Sequence, residues 1–305
     1  MIPSTYHNGE LEMQQKAGEQ IAAYHNSRML VSFITHGAAN YIGKQPFFLA
    51  SSQDGQGRIW TSVISGQEGF ISVIDEETIQ LIPELVHSNP ADVFWQNIKL
   101  HPFTGMLFIE PATRRRYRVN GQITADKDRL LISVQQAYAN CPKYIQRRSV
   151  IRGKKPVYQN GITTGRVLTD EWISWIKAAD TFFVGSSNGG QALDASHRGG
   201  NPGFVDILNP STLRIPDYQG NSMYNTLGNF LSYPQAGLLF VDFQAHQTLQ
   251  LTGKASVTQE IPTSHEDTGR YWTFTIDEWV SLENVTDIAS TFIDYSPFNP
   301  SSKDE

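Results

Sequence analysis

Four stretches of the chain combine residue types that do chemistry. The loop Ser196-His197-Arg198-Gly199-Gly200-Asn201-Pro202-Gly203 sets an imidazole and a fixed positive charge beside several glycines. Glycine lets backbone amides come close to a ligand, although such a loop also serves as a plain structural turn. In Thr113-Arg114-Arg115-Arg116-Tyr117-Arg118, a strand would put Arg114, Arg116 and Arg118 on one face. Like charges this close repel, so an anionic ligand or acidic partner would relieve them, and the planar guanidinium fork suits phosphate. A solvated face with local acids is the alternative. The third stretch runs from Pro216-Asp217-Tyr218-Gln219-Gly220 through Asn221-Ser222-Met223-Tyr224-Asn225, where a strand is expected to turn at Gly220 and enter a helix. Amides at a helix start, with its dipole, favour an anion such as phosphate; ordinary capping by Asn and Ser explains the same residues. The fourth, Asn140-Cys141-Pro142-Lys143-Tyr144-Ile145, holds the single cysteine. Lys143 could lower its thiol pKa, or Cys141 is simply a buried, inert thiol.

The elements that must position these groups are written twice. Phe47-Phe48-Leu49-Ala50-Ser51-Ser52 returns as Phe182-Phe183-Val184-Gly185-Ser186-Ser187, and Gly105-Met106-Leu107-Phe108-Ile109-Glu110 returns as Gly237-Leu238-Leu239-Phe240-Val241-Asp242. Val119-Asn120-Gly121 returns as Leu251-Thr252-Gly253, with the offset drifting from 135 to 132 positions. A repeat this long is a whole domain rather than a solenoid unit, and two copies make an internal pseudo-dimer whose ligand sites would lie between them. The copies are free to specialise: where the second has His197 and Arg198, the first has Val63-Ile64-Ser65-Gly66-Gln67-Glu68-Gly69.

Within each copy the pattern is β. Short apolar or alternating runs are expected at 58–64, 70–74, 78–82 and 105–110, and again at 192–196, 204–208, 212–216 and 238–243. Two longer strands close each copy, 116–123 with 129–137 and 248–257 with 270–279. One helix is expected inside each copy, at 90–100 and 222–232, and another at 10–25. Thr169 or Asp170 could cap a helix through Trp172 and Ile176. Six or seven short strands with a helix or two describe a small barrel, whose closure removes exposed sheet edges. The expected organisation is an N-terminal barrel with a leading helix over 1–140, a basic, loop-like linker over 141–165, a C-terminal barrel over 166–295, and a fraying tail over 296–305.

Composition agrees. A length of 305 residues suggests two domains. A net charge of −6 argues against wholesale nucleic-acid binding, and no run is apolar enough for a membrane helix. Met1 to Lys16 lacks the apolar core of a signal peptide, so a cytoplasmic protein is expected. One cysteine excludes an internal disulfide and multi-cysteine metal sites. The histidines lack metal-ligand spacing, and no HExxH, Gly-Lys-Ser/Thr phosphate loop or strand-to-helix GxGxxG occurs.

Several of these motifs together resemble a known family. Asp194-Ala195-Ser196-His197-Arg198-Gly199-Gly200-Asn201-Pro202-Gly203-Phe204, then Leu213-Arg214-Ile215-Pro216-Asp217-Tyr218 and Asn225-Thr226-Leu227-Gly228-Asn229, are similar to the pyridoxamine 5′-phosphate oxidase-related flavin-binding proteins. Tyr6-His7-Asn8-Gly9-Glu10-Leu11, Arg114 to Gly121 and Asn140 to Ile145 resemble their tandem-domain branch, sometimes fused to ferredoxin-reductase modules. The resemblance covers nearly the whole chain. It implies a mainly β fold with flanking helices, two tandem split barrels, and FMN at the interface of two barrels, within one chain, across two chains, or both. It implies that Ser196, His197 and Arg198 meet the flavin ring. Asp217, Tyr218, Asn221, Ser222, Met223 and Asn225 would lie near ribityl and phosphate, with polar contacts from Thr248 and Gln250. Members of the family usually hold the phosphate with a basic pair at the helix start, where this chain has Asn221-Ser222-Met223. Arg198, or Arg116, Arg118 and Lys143 from the neighbouring copy, would have to replace it. The first copy, with Leu85-Val86-His87-Ser88-Asn89-Pro90 at this place, is expected to be degenerate for flavin. The implied function is an FMN-dependent oxidoreductase, served by a reduced nicotinamide or ferredoxin-type donor, in a homodimer habitual to the family. A flavin carrier or sensor without turnover, and a split-barrel haem protein, are the alternatives.

Overall fold

The computed structural model describes residues 5–158, 161–264, 267–283 and 285–300. The chain begins with helices α1 (Asn8–Ala17), α2 (Gln20–Asn26) and α3 (His36–Gly43). The first barrel follows with β1 (Phe47–Gln53), β2 (Ile59–Ser65), β3 (Ile71–Asp75), β4 (Thr78–Leu81), α4 (Val93–Leu100), β5 (Phe103–Glu110), β6 (Arg115–Asp126) and β7 (Arg129–Ala139). Next come β8 (Arg147–Arg152), β9 (Ile162–Gly165) and α5 (Asp170–Ala178). The second barrel holds β10 (Thr181–Ser187), β11 (Leu193–Gly199), β12 (Asp206–Asn209), β13 (Thr212–Pro216), α6 (Asn225–Ser232), β14 (Gln235–Asp242), β15 (Gln247–Gln259) and β16 (Arg270–Leu282); β17 (Ile288–Asp294) ends the strands.

Both barrels have the same antiparallel order. It is β2-β1-β5-β6-β7-β4-β3 in the first and β11-β10-β14-β15-β16-β13-β12 in the second, where β9 adds to β16. In the first barrel a bridge between Gly66 and Val86 ties the end of β2 to the stretch after β4, so closure is partial and the barrel stays split. The fold is mainly β with flanking helices, two split barrels in tandem. Each has its own apolar core, around Phe48, Phe108 and Ile132 in the first and Phe182, Phe240 and Trp272 in the second. A third core, including Leu49, Leu107, Phe183 and Leu239, is shared between them.

Strand register corrects the repeat by one residue. Ser51 pairs with Gly105 and Gly185 with Gly237, so the first strands correspond at an offset of 134 rather than 135. The run Phe-Phe-Leu against Phe-Phe-Val aligns better in letters, but a slip of one residue would turn every side chain to the wrong face. The pseudo-twofold shows in paired contacts. A Cβ on Gly105 would stand 2.4 Å from Leu193 O, and one on Gly237 would stand 2.7 Å from Ile59 O. Asn97 Nδ2 donates to Ser52 Oγ at 3.0 Å, and Asn229 Nδ2 to Ser186 Oγ at 2.9 Å. At these two glycines the barrels meet backbone to backbone, and a side chain does not fit there.

Other expectations change as well. The single helix over 10–25 is two, because Gly18 takes a left-handed φ of 69° and caps α1. The segment 141–165 is not all loop: β8 pairs with β17 and β9 with β16. Thr169 caps α5 by accepting from Trp172 N. The tail is anchored up to Pro300: Gln146 accepts from Ser296 N at 2.7 Å, and Asn201 Nδ2 donates to Pro300 O at 2.9 Å. Residues 301–305 lie outside the described residues. No helix among the described residues is long and apolar enough to cross a membrane.

Candidate functional site

A cleft of about 860 Å³, counted to its open mouth, lies where β6 of the first barrel faces β11 and the start of α6 in the second. Both halves come from one chain. Strand β6 brings Arg116 and Arg118, β11 brings Ser196, His197 and Arg198, and the segment after β7 brings Lys143. Asp217, Tyr218, Asn221, Ser222 and Asn225 line the opposite side. Arg114 does not share their face. It precedes β6 in a left-handed turn, and its guanidinium pairs with Asp294 of β17.

The charges in the cleft are unequal in their pairing. Arg118 is buried and engaged at both terminal nitrogens, its Nε alone having no partner: Nη2 donates to Ser196 Oγ at 2.6 Å, Nη1 to the Tyr138 hydroxyl, and Asp194 Oδ1 lies 3.5 Å away. Asp194 also accepts from Asn120 at 2.8 Å and from Asn229 at 2.7 Å. Asp217 is answered by Arg270 at 3.1 Å. Among the described residues no carboxylate lies in ion-pair range of Arg116, Arg198 or Lys143. Arg116 Nε donates only to Cys141 O at 2.8 Å, Arg198 Nη1 only to His197 O at 3.1 Å, and Arg198 Nε has no partner. Lys143 Nζ sits 5.6 Å over the Phe298 ring. Burial, with Arg118 and Arg198 beside it, pushes Arg116 down to about 9. Burial also lowers Arg198. Both stay charged at neutral pH, held at a cost that an anion would relieve.

His197 is 4% exposed, and neither ring nitrogen has a partner. Burial holds its pKa well below the usual histidine value, reinforced by Arg116, Arg198 and Arg148. It is a neutral imidazole, with one donor and one acceptor to offer.

The loop before α6 is irregular, contrary to a simple capped helix. Ser222 and Tyr224 take left-handed φ of 62° and 60°, and α6 starts at Asn225 without a side-chain cap. Asn221 Oδ1 accepts from Met223 N at 3.2 Å, which turns the chain early. The N-terminal helices hold this loop from outside: Asn26 donates to Asn221 O at 2.7 Å and Gln14 to Met223 O at 3.2 Å. The Met223 side chain is fully buried with Tyr6, Ala23 and Tyr138, so it supports the cleft without lining it.

Thr248 and Gln250 stand outside the cleft, and the reason is the trans arrangement. Strand β15 crosses onto β2 of the first barrel rather than onto β11. Gln250 Nε2 donates to Thr61 O and Ser62 Oγ, both at 2.9 Å, and lies 3.3 Å from Asp92 Oδ2. The residues that β15 would have supplied to the cleft are supplied instead by its counterpart β6, as Arg116 and Arg118. Residues not singled out beforehand also matter. Asp194 balances Arg118, and Glu10 reaches in from α1 to accept from Asn225 Nδ2. Tyr144 lines the mouth and donates to Gln219 O at 2.9 Å. All three sit in motifs that carried the resemblance, which was the available signal.

Solved structures similar to this chain include a candidate pyridoxamine 5′-phosphate oxidase from Lactobacillus delbrueckii, at 14% identity and a TM-score of 0.31, covering 40% of this chain and 98% of that one. HupZ from Group A Streptococcus matches at 10% identity and a TM-score of 0.29, covering 42% and 98%. A protein related to general stress protein 26, of the pyridoxinephosphate oxidase family, from Clostridium acetobutylicum matches at 13% identity and a TM-score of 0.28, covering 40% and 92%. No family model matches the sequence, and no curated protein matches it. The fold assignment stands on the strand order and paired contacts above.

Proposed function

We propose that the chain binds FMN in the cleft between its barrels and works as a flavin-dependent oxidoreductase. The observation that carries this reading is the surplus of unpaired cations, Arg116, Arg198 and Lys143, around a neutral, unpartnered imidazole. A mononucleotide has the matching parts: a dianionic phosphate for the cations and a ring with donors and acceptors for His197 and Ser196. When bound, the flavin supplies hydride or single-electron transfer. This chain would bind the phosphate through Arg116, Arg198 and Lys143. Arg118, locked by Asp194 and Tyr138, would fix the Ser196 hydroxyl. The left-handed turn at Ser222 and Tyr224 would close the cleft from the α6 side. Neither half needs a second chain.

The test begins with the absorption spectrum of freshly purified protein and identification of any released chromophore. Flavin bands and released FMN are expected, and a donor screen with NADH and NADPH then separates turnover from mere carriage. Replacing Arg116 and Arg198 together by alanine should weaken FMN binding by about 10- to 100-fold, the scale of one or two charge-assisted hydrogen bonds. Unchanged affinity would remove the phosphate assignment. A colourless protein that also fails to take up added FMN would remove the oxidoreductase reading.

A further inference from the structure

A second cavity, about 1020 Å³ to its open mouth, lies on the other side of His197. Its walls sit on the pseudo-twofold axis. Ile109 of β5 and Val241 of β14 are repeat partners, as are Phe47 and Thr181, and each pair contributes to the lining. Phe183 and Phe243 complete an apolar, aromatic interior, while Trp175 of α5 and Phe292 of β17 stand at its edge. The charged groups at the rim are already satisfied. Arg148 Nη2 donates to both oxygens of Asp180, at 2.8 and 2.6 Å, and its guanidinium lies over the Phe292 ring. Among the described residues of the lining, the unmet buried polar atoms are the Thr181 hydroxyl and both ring nitrogens of His197, which is nine-tenths buried. Buried polar groups without a partner are costly, and a cavity with aromatic walls and a few convergent polar groups is the usual form of a small-molecule site.

We infer that this axial cavity binds a neutral aromatic ring compound bearing a hydroxyl or carbonyl oxygen, with the ring among Phe47, Phe183 and Phe243 and the oxygen on His197. A charged ligand fits poorly, because Arg148 and Asp180 cancel each other and the Asp242 carboxylate is already held by the amides of Gln244 and Ala245. The imidazole would then be the partition between two ligands, one in each cavity. The inference rests on the cavity and His197 alone, and stands whether or not the first cleft takes FMN.

The test uses 2-naphthol and naphthalene as probes, with affinity measured by equilibrium dialysis on the full chain, with and without saturating FMN. 2-Naphthol should bind more tightly than naphthalene. Val241→Trp, which fills the cavity, should weaken both by at least about 10-fold; if that variant fails to fold, Ser290→Phe on another wall serves the same purpose. His197→Phe keeps the ring and removes the nitrogens. It should weaken 2-naphthol by about 5- to 10-fold, the scale of one buried hydrogen bond, and leave naphthalene within about twofold. Failure of 2-naphthol to bind, equal loss of both probes in His197→Phe, or displacement of 2-naphthol by FMN would each overturn the assignment. Absence of FMN binding alone would leave these outcomes readable, so the two proposals fail separately.

Discussion

Arg118 on β6 donates to Ser196 on β11, and Gln250 on β15 donates to Ser62 on β2. These are one contact repeated across the pseudo-twofold, yet the surroundings differ completely. Around Arg118 the neighbours are charged and unevenly paired, and a cleft opens. Around Gln250 the space is closed: Asp92 accepts from Ser62 and from Phe94 N, Gln250 joins them, and Thr248 beside it is fully buried. Where the open side has His197 and Arg198, the closed side has Val63 and Ile64, both buried in apolar cores. A scaffold duplicated once therefore carries one ligand-sized opening and one plug. The plug consists of neutral side chains packed around Asp92, with only the Thr248 hydroxyl and Gln250 Oε1 left without a partner, and the opening consists of long cations without carboxylates.

The largest way to break the comparison is to remove Arg118. Asp194 would then remain buried without its cation, beside Ser196 and Asn225, which also lose a neighbour. Arg118→Ala should cost about 3–5 kcal/mol of unfolding free energy, as for other buried pairs broken from one side. Gln250→Ala, its mirror, removes neutral hydrogen bonds and should cost about 1–3 kcal/mol. Urea unfolding of both variants checks the ranking. Equal losses would mean that the charge at 118 adds nothing beyond the hydrogen bond.

Much of this was legible in the sequence, for physical reasons that differ by element. The strands showed because their alternation has period two, and β13 was placed at Thr212–Pro216 from that alone. The cleft residues showed because His, Arg, Asn and Gly cluster, although Ser196 to Gly199, read as a loop, belong to strand β11. The positions of Thr248 and Gln250 did not show. Sequence gives the copy to which a strand belongs, but not the barrel across which it lies. The register of β1 against β10 did not show either, because Phe-Phe reads alike at two offsets, and the pairings of Ser51 with Gly105 and of Gly185 with Gly237 separate them. Strand β17 was hidden in a stretch of mixed polarity just before the tail, and its partner β8 in a stretch whose basic residues suggested a linker.

A pH series sharpens the comparison, because each side holds one carboxyl that burial pushes up. Glu10, on the open side, is pushed up to about 7 by burial and by Asp194, against the hydrogen bonds from His7 and Asn225. Asp92, in the plug, is pushed up to about 6 by burial alone. Both groups hold their proton more tightly in the folded chain than in the unfolded one. Their stabilising contribution is therefore whole below about pH 4 and is lost as pH rises through 6 to 7. For Glu10 the span from 4.5 to about 7 corresponds to about 3 kcal/mol. Glu10→Gln keeps the shape and removes the titration. The wild type should lose up to that amount relative to the variant between pH 5 and pH 8, read from urea midpoints. A parallel course of the two proteins would place the Glu10 proton elsewhere.

The smallest effect tests the symmetry itself. Asn97 and Asn229 make the same bond, to Ser52 and Ser186, but Asn229 also donates to Asp194, and its Oδ1 accepts from His7 Nε2 at 2.9 Å. Asn97→Ala should cost about 1 kcal/mol, the worth of one ordinary buried hydrogen bond, and leave ligand binding in the cleft unchanged. Asn229→Ala should cost more, because it also releases Asp194 and the N-terminal segment at His7, and it should loosen the Arg118 guanidinium that Asp194 holds. If the two substitutions cost the same, the extra bonds of Asn229 contribute nothing, and the asymmetry between the two sides begins at the cations rather than in the layer that supports them.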